Sequence, residues 1–91
     1  MASAHRDSVS DFATAEYTVR MSIAVQLVSR REALGYTPLQ LAESARVTQM
    51  NLTLVEEGVA FDGSHEIVCA ALVAVERLER LKDGKAHLRL V

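Results

Sequence analysis

The stretch LAESARVTQMNLTLVEEG, residues 41–58, decides the fold of this 91-residue chain. Thr48 in its middle is a residue type that favours the N-cap of a helix, and Gly58 at its end is one that favours helix termination. Thr48 divides the apolar residues of the stretch into two groups with helical spacing. The stretch therefore predicts two short helices, over residues 38–45 and 49–57, joined by a turn of about three residues.

Small and apolar residues stand where two such helices have to pack. Two crossing helices need a small residue at their closest approach, apolar residues that fix the turn, and apolar residues that anchor the second helix to a core. The candidates are Ala42 at the crossing, Leu41 and Val47 at the turn, and Leu52 and Val55 on the second helix. This pattern predicts a helix-turn-helix unit over residues 38–57.

Two further helices are expected on either side of this unit. Ser22 is a good N-cap for a helix that ends at Gly35, and Ser64 is a good N-cap for a long helix that ends at Gly84. Apolar residues recur with helical spacing in both segments. The middle of the chain is thus predicted to be a small bundle of helices.

The two terminal segments alternate apolar and polar residues instead. ATAEYTVRM, residues 13–21, alternates at every step, and KAHLRLV, residues 85–91, does so more briefly. Such alternation is typical of half-buried strands. A single helix from Phe12 through Leu34 is the alternative, but the alternation and the Ser22 cap favour a strand followed by a helix. Residues 1–12 show neither period and are predicted to form a flexible arm.

Composition predicts one soluble domain over residues 13–91. Hydrophobic residues make up 49% of the chain and charged residues 24%, as in ordinary globular proteins. The net charge of -2 argues mildly against a nucleic-acid binder. One cysteine excludes an internal disulfide, and neither a membrane span nor a signal peptide is visible, so a cytoplasmic protein without membrane contact is expected.

Residues with catalytic or metal-binding chemistry are sparse. His65 and Cys69 share a helical face, but we interpret Cys69 as a buried core residue rather than as half of a metal site. Glu56 and Glu57 are adjacent and so point to different sides of a helix. No phosphate-binding glycine loop or nucleophile elbow is present. We therefore predict no enzymatic activity, no metal and no cofactor.

The stretch at residues 41–58, together with SRREALGYT at residues 29–37, resembles the Xre/Cro-type family of phage-repressor helix-turn-helix proteins. The resemblance covers residues 22–75, more than half of the chain. It implies a mainly α, lambda-repressor-like bundle of four to five helices, here with short flanking β-strands at both ends. It also implies that the second helix of the unit lies in the major groove of DNA.

The resemblance implies roles for individual residues. Arg31 and Glu56 match the family's buried ion pair, which ties the first helix to the third. Gln49 is placed to pair with an adenine edge, and Met50 either touches thymine methyl groups or packs inward. The predicted DNA-binding residues are Arg46, Thr48, Gln49, Met50, Asn51 and Thr53.

Arg46 stands where the family usually has glycine. A left-handed backbone there costs a non-glycine residue about 1 kcal/mol, which a contact with phosphate would offset. Residues 47–76 contain no Lys or Arg at all, so DNA binding by one copy is predicted to be weak.

The sequence therefore predicts a sequence-specific regulator of transcription that binds double-stranded operator DNA. We expect it to act as a homodimer and to repress transcription. The terminal strands could pair within one chain or exchange between two chains. In the second case they would supply the dimer contacts, through Tyr17, Val19, Met21, Leu88 and Leu90. The alternative is an antitoxin or protein interaction module that kept the helix-turn-helix core, binds a toxin or another regulator, and has weak or no DNA binding.

Overall fold

Four α-helices make up a computed structural model of the chain, which describes the backbone of residues 2–90 and the side chains of residues 15–84. They are α1 (Ala2–Leu34), α2 (Pro38–Ala45), α3 (Gln49–Glu56) and α4 (Ser64–Leu90). The protein is mainly helical, and no strand occurs between residues 2 and 90. None of the helices in this described part combines the length and hydropathy needed to cross a bilayer.

The predicted strand at residues 13–21 is wrong, because α1 runs through it without interruption. Several of its residues are alanine, glutamate or arginine, which form helices well. A strand would also need a neighbour to pair its backbone groups, whereas a helix pairs them internally. Ser22 is exposed within α1 and its hydroxyl accepts a hydrogen bond from the Gln26 amide at 3.4 Å, so it caps nothing. Since α1 begins at Ala2, the backbone of residues 2–12 is helical, and the flexibility predicted for this arm stays a prediction.

The predicted strand at residues 85–91 is also wrong over its described backbone, because α4 continues past Gly84 to Leu90. Glycine inside a helix costs about 1 kcal/mol relative to alanine, which lowers helix stability without ending the helix. No proline follows Gly84, and lysine, alanine, leucine and arginine after it favour helix. Val91 lies outside the described residues.

The core lies where α2 and α3 pack against α1 and α4. Its buried members are Leu27, Leu41, Ala42, Leu52, Val55, Ala71, Ala74 and Val75. The residues expected to be buried from the spacing of α2 and α3 are all in or against this core, with Val47 half-buried at its edge. Ala42, only 1% exposed, is small enough to let the helices approach closely.

The ends of the first three helices share one hydrogen-bond pattern. At the end of α2, Val47 N–H donates to the Ala42 carbonyl at 3.0 Å and Arg46 N–H donates to the Glu43 carbonyl at 3.2 Å. This pair of bonds requires a left-handed residue just after the helix. Arg46 adopts that conformation, with φ 59° and ψ 42°. Glycines with positive φ take the same place after α1 and α3, at Gly35 and Gly58.

The molecule is elongated, with extents of 66 × 28 × 17 Å and a radius of gyration of 17.1 Å. A compact chain of this length has a radius of gyration of about 12 Å. The difference follows from α1 and α4, whose 33 and 27 residues span about 50 and 40 Å, while α2 and α3 have only 8 residues each. Part of α1 therefore extends beyond the packed core.

Candidate nucleic-acid interface

One side of α3 is fixed in the protein core. Thr48 stands before the helix with an extended backbone, and its hydroxyl accepts a hydrogen bond from Asn51 N–H at 3.1 Å. Leu52 and Val55 are 0% and 3% exposed, so they hold the inner side of α3 against the other helices. The Thr48 cap thus sets where α3 begins, and the buried Leu52 and Val55 determine which side of the helix faces outward.

The opposite side of α3 is exposed, and we call it the outer face, formed by Gln49, Met50, Thr53 and Glu57. Gln49, Thr53 and Glu57 follow one another at four-residue steps and so lie along one line. Met50 is 74% exposed, which excludes the inward packing considered for it. Asn51, which was also predicted to bind DNA, is half-buried and so is less exposed than the outer face. The outer face thus presents an amide, a thioether and a hydroxyl, followed by a carboxylate.

Arg46 lies in the turn between α2 and α3 and is exposed. Its backbone is left-handed, as expected for the position at which it replaces glycine. Among the residues whose side chains are described, its guanidinium makes no hydrogen bond or ion pair. An anion approaching the start of α3 would therefore meet an uncommitted cation.

Arg31 and Glu56 form the contact expected from the sequence. The Arg31 guanidinium donates to both carboxylate oxygens of Glu56, at 2.8 and 3.0 Å, and a third nitrogen donates to the Tyr36 carbonyl at 2.9 Å. The two side chains are 10% and 9% exposed. This bidentate pair ties α1 to α3 and fixes the rotation of α3 about its axis.

Two arginines outside the predicted set of DNA-binding residues cap the ends of α3 and α2. Arg20 Nε donates to the Gly58 carbonyl after α3 at 2.8 Å, and Arg77 donates to the Ser44 carbonyl near the end of α2 at 3.0 Å. Carbonyls at the end of a helix carry partial negative charge, which a cation stabilises. No local pattern marks such contacts, because each joins residues far apart in the chain to a backbone acceptor.

Another pair of charged side chains joins α1 to α4. Arg30 donates to both oxygens of Glu79, at 3.0 and 2.5 Å. These hydrogen bonds hold the pKa of the Glu79 carboxyl below its ordinary value of 4.5, and they raise the pKa of Arg30. Arg20, Arg30, Arg31 and Arg77 are thus engaged within the protein.

The residues predicted for dimer contacts on α1 do not form one surface. Tyr17 and Val19 are 55% and 57% exposed on α1, but Met21 is half-buried and lies against Gly58. The backbones of Leu88 and Leu90 belong to α4, and their side chains lie outside the described residues. Because α1 is a helix, Tyr17 and Met21, four residues apart, lie on one face, while Val19 points away from it.

Cys69 is exposed, so its predicted burial in the core is wrong. Its sulfur lies 3.7 Å from His65 Nε2, one helical turn earlier. Over the side chains that the structure describes, three or more His, Cys, Asp or Glu residues are nowhere grouped as a metal site would require.

Comparison of the chain with protein-family models, with curated proteins and with solved structures found no match. The basis for a function is therefore the outer face of α3 and the turn before it.

Proposed function

We propose that this protein is a sequence-specific, double-stranded DNA-binding regulator of transcription of the helix-turn-helix type, which acts by occupying an operator. One observation carries the proposal. The first half of α3 exposes Gln49, Met50 and Thr53 on its outer face, while the buried Leu52 and Val55 hold its inner side. The major groove admits one such α-helix, and a fixed inner side lets the outer side chains meet base edges in a constant register.

Each exposed residue has a role that suits its chemistry. The Gln49 amide can donate to adenine N7 and accept from its N6 amino group, which distinguishes adenine from the other bases. The Met50 thioether offers an apolar contact to a thymine methyl group. Thr53 donates or accepts through its hydroxyl. Thr48 and Arg46 stand at the start of α3, where contacts to phosphate would set the position of the protein without reading sequence.

The charge of this region implies modest affinity for a single copy. Residues 47–76 contain no Lys or Arg, and Glu57 lies on the outer face itself. Phosphate contacts supply most of the non-specific affinity for DNA, so Arg46 alone would neutralise little. Two linked copies would combine their binding energies, and a homodimer is therefore part of the proposal.

Replacement of Gln49 tests the proposal directly. Duplexes that bind the full chain are first enriched from a random-sequence library at low salt, and the preferred site is then titrated with each variant. Gln49→Ala is expected to lose about 1 to 3 kcal/mol on that site and to relax preference at one base position per half-site. Gln26→Ala on α1 removes an exposed glutamine outside α3 and should bind as the wild type does. Failure to enrich any duplex would overturn the proposal.

A second candidate, an antitoxin or other protein interaction module, is favoured by the absence of cations from residues 47–76. In that case a toxin or another regulator would occupy the outer face, which carries no cation. Gln49→Ala and Asn51→Ala would then leave the partner bound, whereas Met50→Asp would release it. A toxin or kinase reading frame beside the gene would favour this candidate, and its absence together with an enriched operator would exclude it.

A further inference from the structure

An apolar groove runs beside the part of α1 that extends beyond the core. The groove lies between α1, the segment after α3 and the start of α4, and encloses about 620 Å³. Its apolar lining includes Ala15, Val19, Ile23, Val55, Val59 and Val68. We propose that this groove is a homodimer interface, occupied by the same segment of α1 from a second copy of the chain.

Among residues 15–84, whose side chains the structure describes, none covers the α1 side of this groove. Residues 15–19 are exposed on every side of the helix, and Val19 is 57% exposed. Val59, across the groove, is 40% exposed. Contiguous apolar surface beside a cavity is typical of a surface that binds another molecule.

The shape of the groove fits a helix. Ala15, Val19 and Ile23 are spaced at four-residue steps, so they follow the α1 axis for about 12 Å rather than closing around a compact ligand. A second helix packs on such a row by placing its own side chains between these residues. The occupant is therefore an extended helix with small and branched apolar residues, and this same segment of α1 has that composition.

Charge identifies the occupant as a second copy. Glu16 and Arg20 both line the groove, one helical turn apart. In a two-fold arrangement with antiparallel α1 helices, Glu16 of one copy faces Arg20 of the other, and the reverse pair forms as well. The surface is therefore complementary to itself.

Two contacts within the chain position Arg20 for that pair. Its Nε donates to the Gly58 carbonyl at 2.8 Å, and its guanidinium lies 5.4 Å from the centre of the Tyr17 ring. The two terminal nitrogens of Arg20 make no other hydrogen bond among the residues whose side chains are described. They are free to donate to a carboxylate from another chain.

Oligomeric mass measured over a concentration series of the full chain tests the proposal. The wild type is expected to approach twice its chain mass of 10.0 kDa as concentration rises. Val19→Asp places a charge in the interface and should raise the dimer dissociation constant at least about tenfold. Val25→Asp is the matched control, because Val25 is 64% exposed on the same helix and does not line the groove. A monomeric wild type, or equal effects of the two substitutions, would overturn the proposal.

A charge exchange supplies a second, independent test. Glu16→Arg and Arg20→Glu should each weaken self-association, because like charges then face each other across the two-fold axis. An equimolar mixture of the two variants should regain the dimer, since a chain with two arginines now meets a chain with two glutamates. Circular dichroism establishes that each variant is folded. A folded mixture that remains monomeric contradicts the antiparallel arrangement, and if Arg20→Glu unfolds, the Val19 and Val25 variants decide.

This proposal uses residues other than those of the outer face of α3. Dimer formation is measured without DNA, and operator selection can be carried out whatever the oligomeric state. A monomeric chain that still enriches a duplex would remove the homodimer from the proposed function and leave DNA binding, whereas a dimer that enriches no duplex would remove DNA binding and leave this interface.

Discussion

Arg46 holds a backbone conformation that the ends of α1 and α3 assign to glycine. Its φ of 59° brings Cβ close to the following carbonyl oxygen, a contact that glycine avoids because it has no Cβ. The hydrogen bonds that end α2 nevertheless form. Arg46 thus lowers the stability of the fold but places an exposed cation at the start of α3.

We expect Arg46→Gly to raise the free energy of unfolding by about 0.5 to 1 kcal/mol, because the strain of the left-handed backbone exceeds the entropy that glycine adds to the unfolded chain. Urea unfolding followed by circular dichroism measures the change. Gly35→Ala is the reverse control, since Gly35 has φ 76° with no atom near a new Cβ, and it should lose a similar amount. Unchanged or reduced stability of Arg46→Gly would show that the left-handed backbone carries no cost.

Several residue-level features were accessible from the sequence, for different reasons. The Thr48 cap was predicted from its residue type and position, whereas the left-handed Arg46 and the contact of Arg31 with Glu56, 25 positions away, were expected from the resemblance. The capping contacts of Arg20 and Arg77 were not accessible. They join residues 38 and 33 positions apart, and their backbone acceptors exist at every residue.

At the scale of helices, the contact between Arg30 and Glu79 predicts how the junction of α1 and α4 responds to acid. The pKa of Glu79 is lowered in the folded state, chiefly by hydrogen bonds from Arg30. The contact therefore stabilises the fold above the ordinary pKa of about 4.5 and is lost as pH falls through the lower, folded value. The two side chains are 38% and 35% exposed, so the contribution is below about 1 kcal/mol.

We therefore expect Glu79→Gln to be less stable than the wild type at neutral pH, with the difference shrinking toward zero below the folded pKa. Urea unfolding at a series of pH values measures this difference. Glu43→Gln removes an exposed carboxylate that forms no ion pair among the described side chains and should show little difference at neutral pH. A constant difference for Glu79→Gln across the series would contradict the assignment.

Helices were predictable where caps and helical spacing agreed, as in α2 and α3. The helix was not predictable over residues 13–21 of α1, because an alternating row that includes small alanines fits both a strand and a helix. The outcome depends on whether a neighbouring strand exists, and residues 85–90, the only other candidate, are also helical. The helix end predicted at Gly84 was wrong for a similar reason. Glycine ends a helix only when the residues after it leave the helical path.

At the scale of the whole molecule, dimer formation and DNA binding should be coupled. Val19→Asp lies outside the outer face of α3, yet separating the copies removes the gain from binding two half-sites. We expect its affinity for an enriched two-half-site operator to fall by about a hundredfold or more, with little change on a single half-site. Val25→Asp should bind both DNAs as the wild type does. Equal losses on both DNAs would show that Val19 affects the fold of the DNA-binding unit instead.

The cation-free stretch that includes α3 has a consequence for the cell if the protein is a DNA-binding regulator. A protein that neutralises few phosphates releases few counterions, so its affinity changes little with ionic strength. It also spends little time on the vast excess of bulk chromosomal sites, which hold most copies of a strongly basic regulator. Operator occupancy would then follow the number of protein copies closely, and fluctuations in intracellular salt would hardly disturb it.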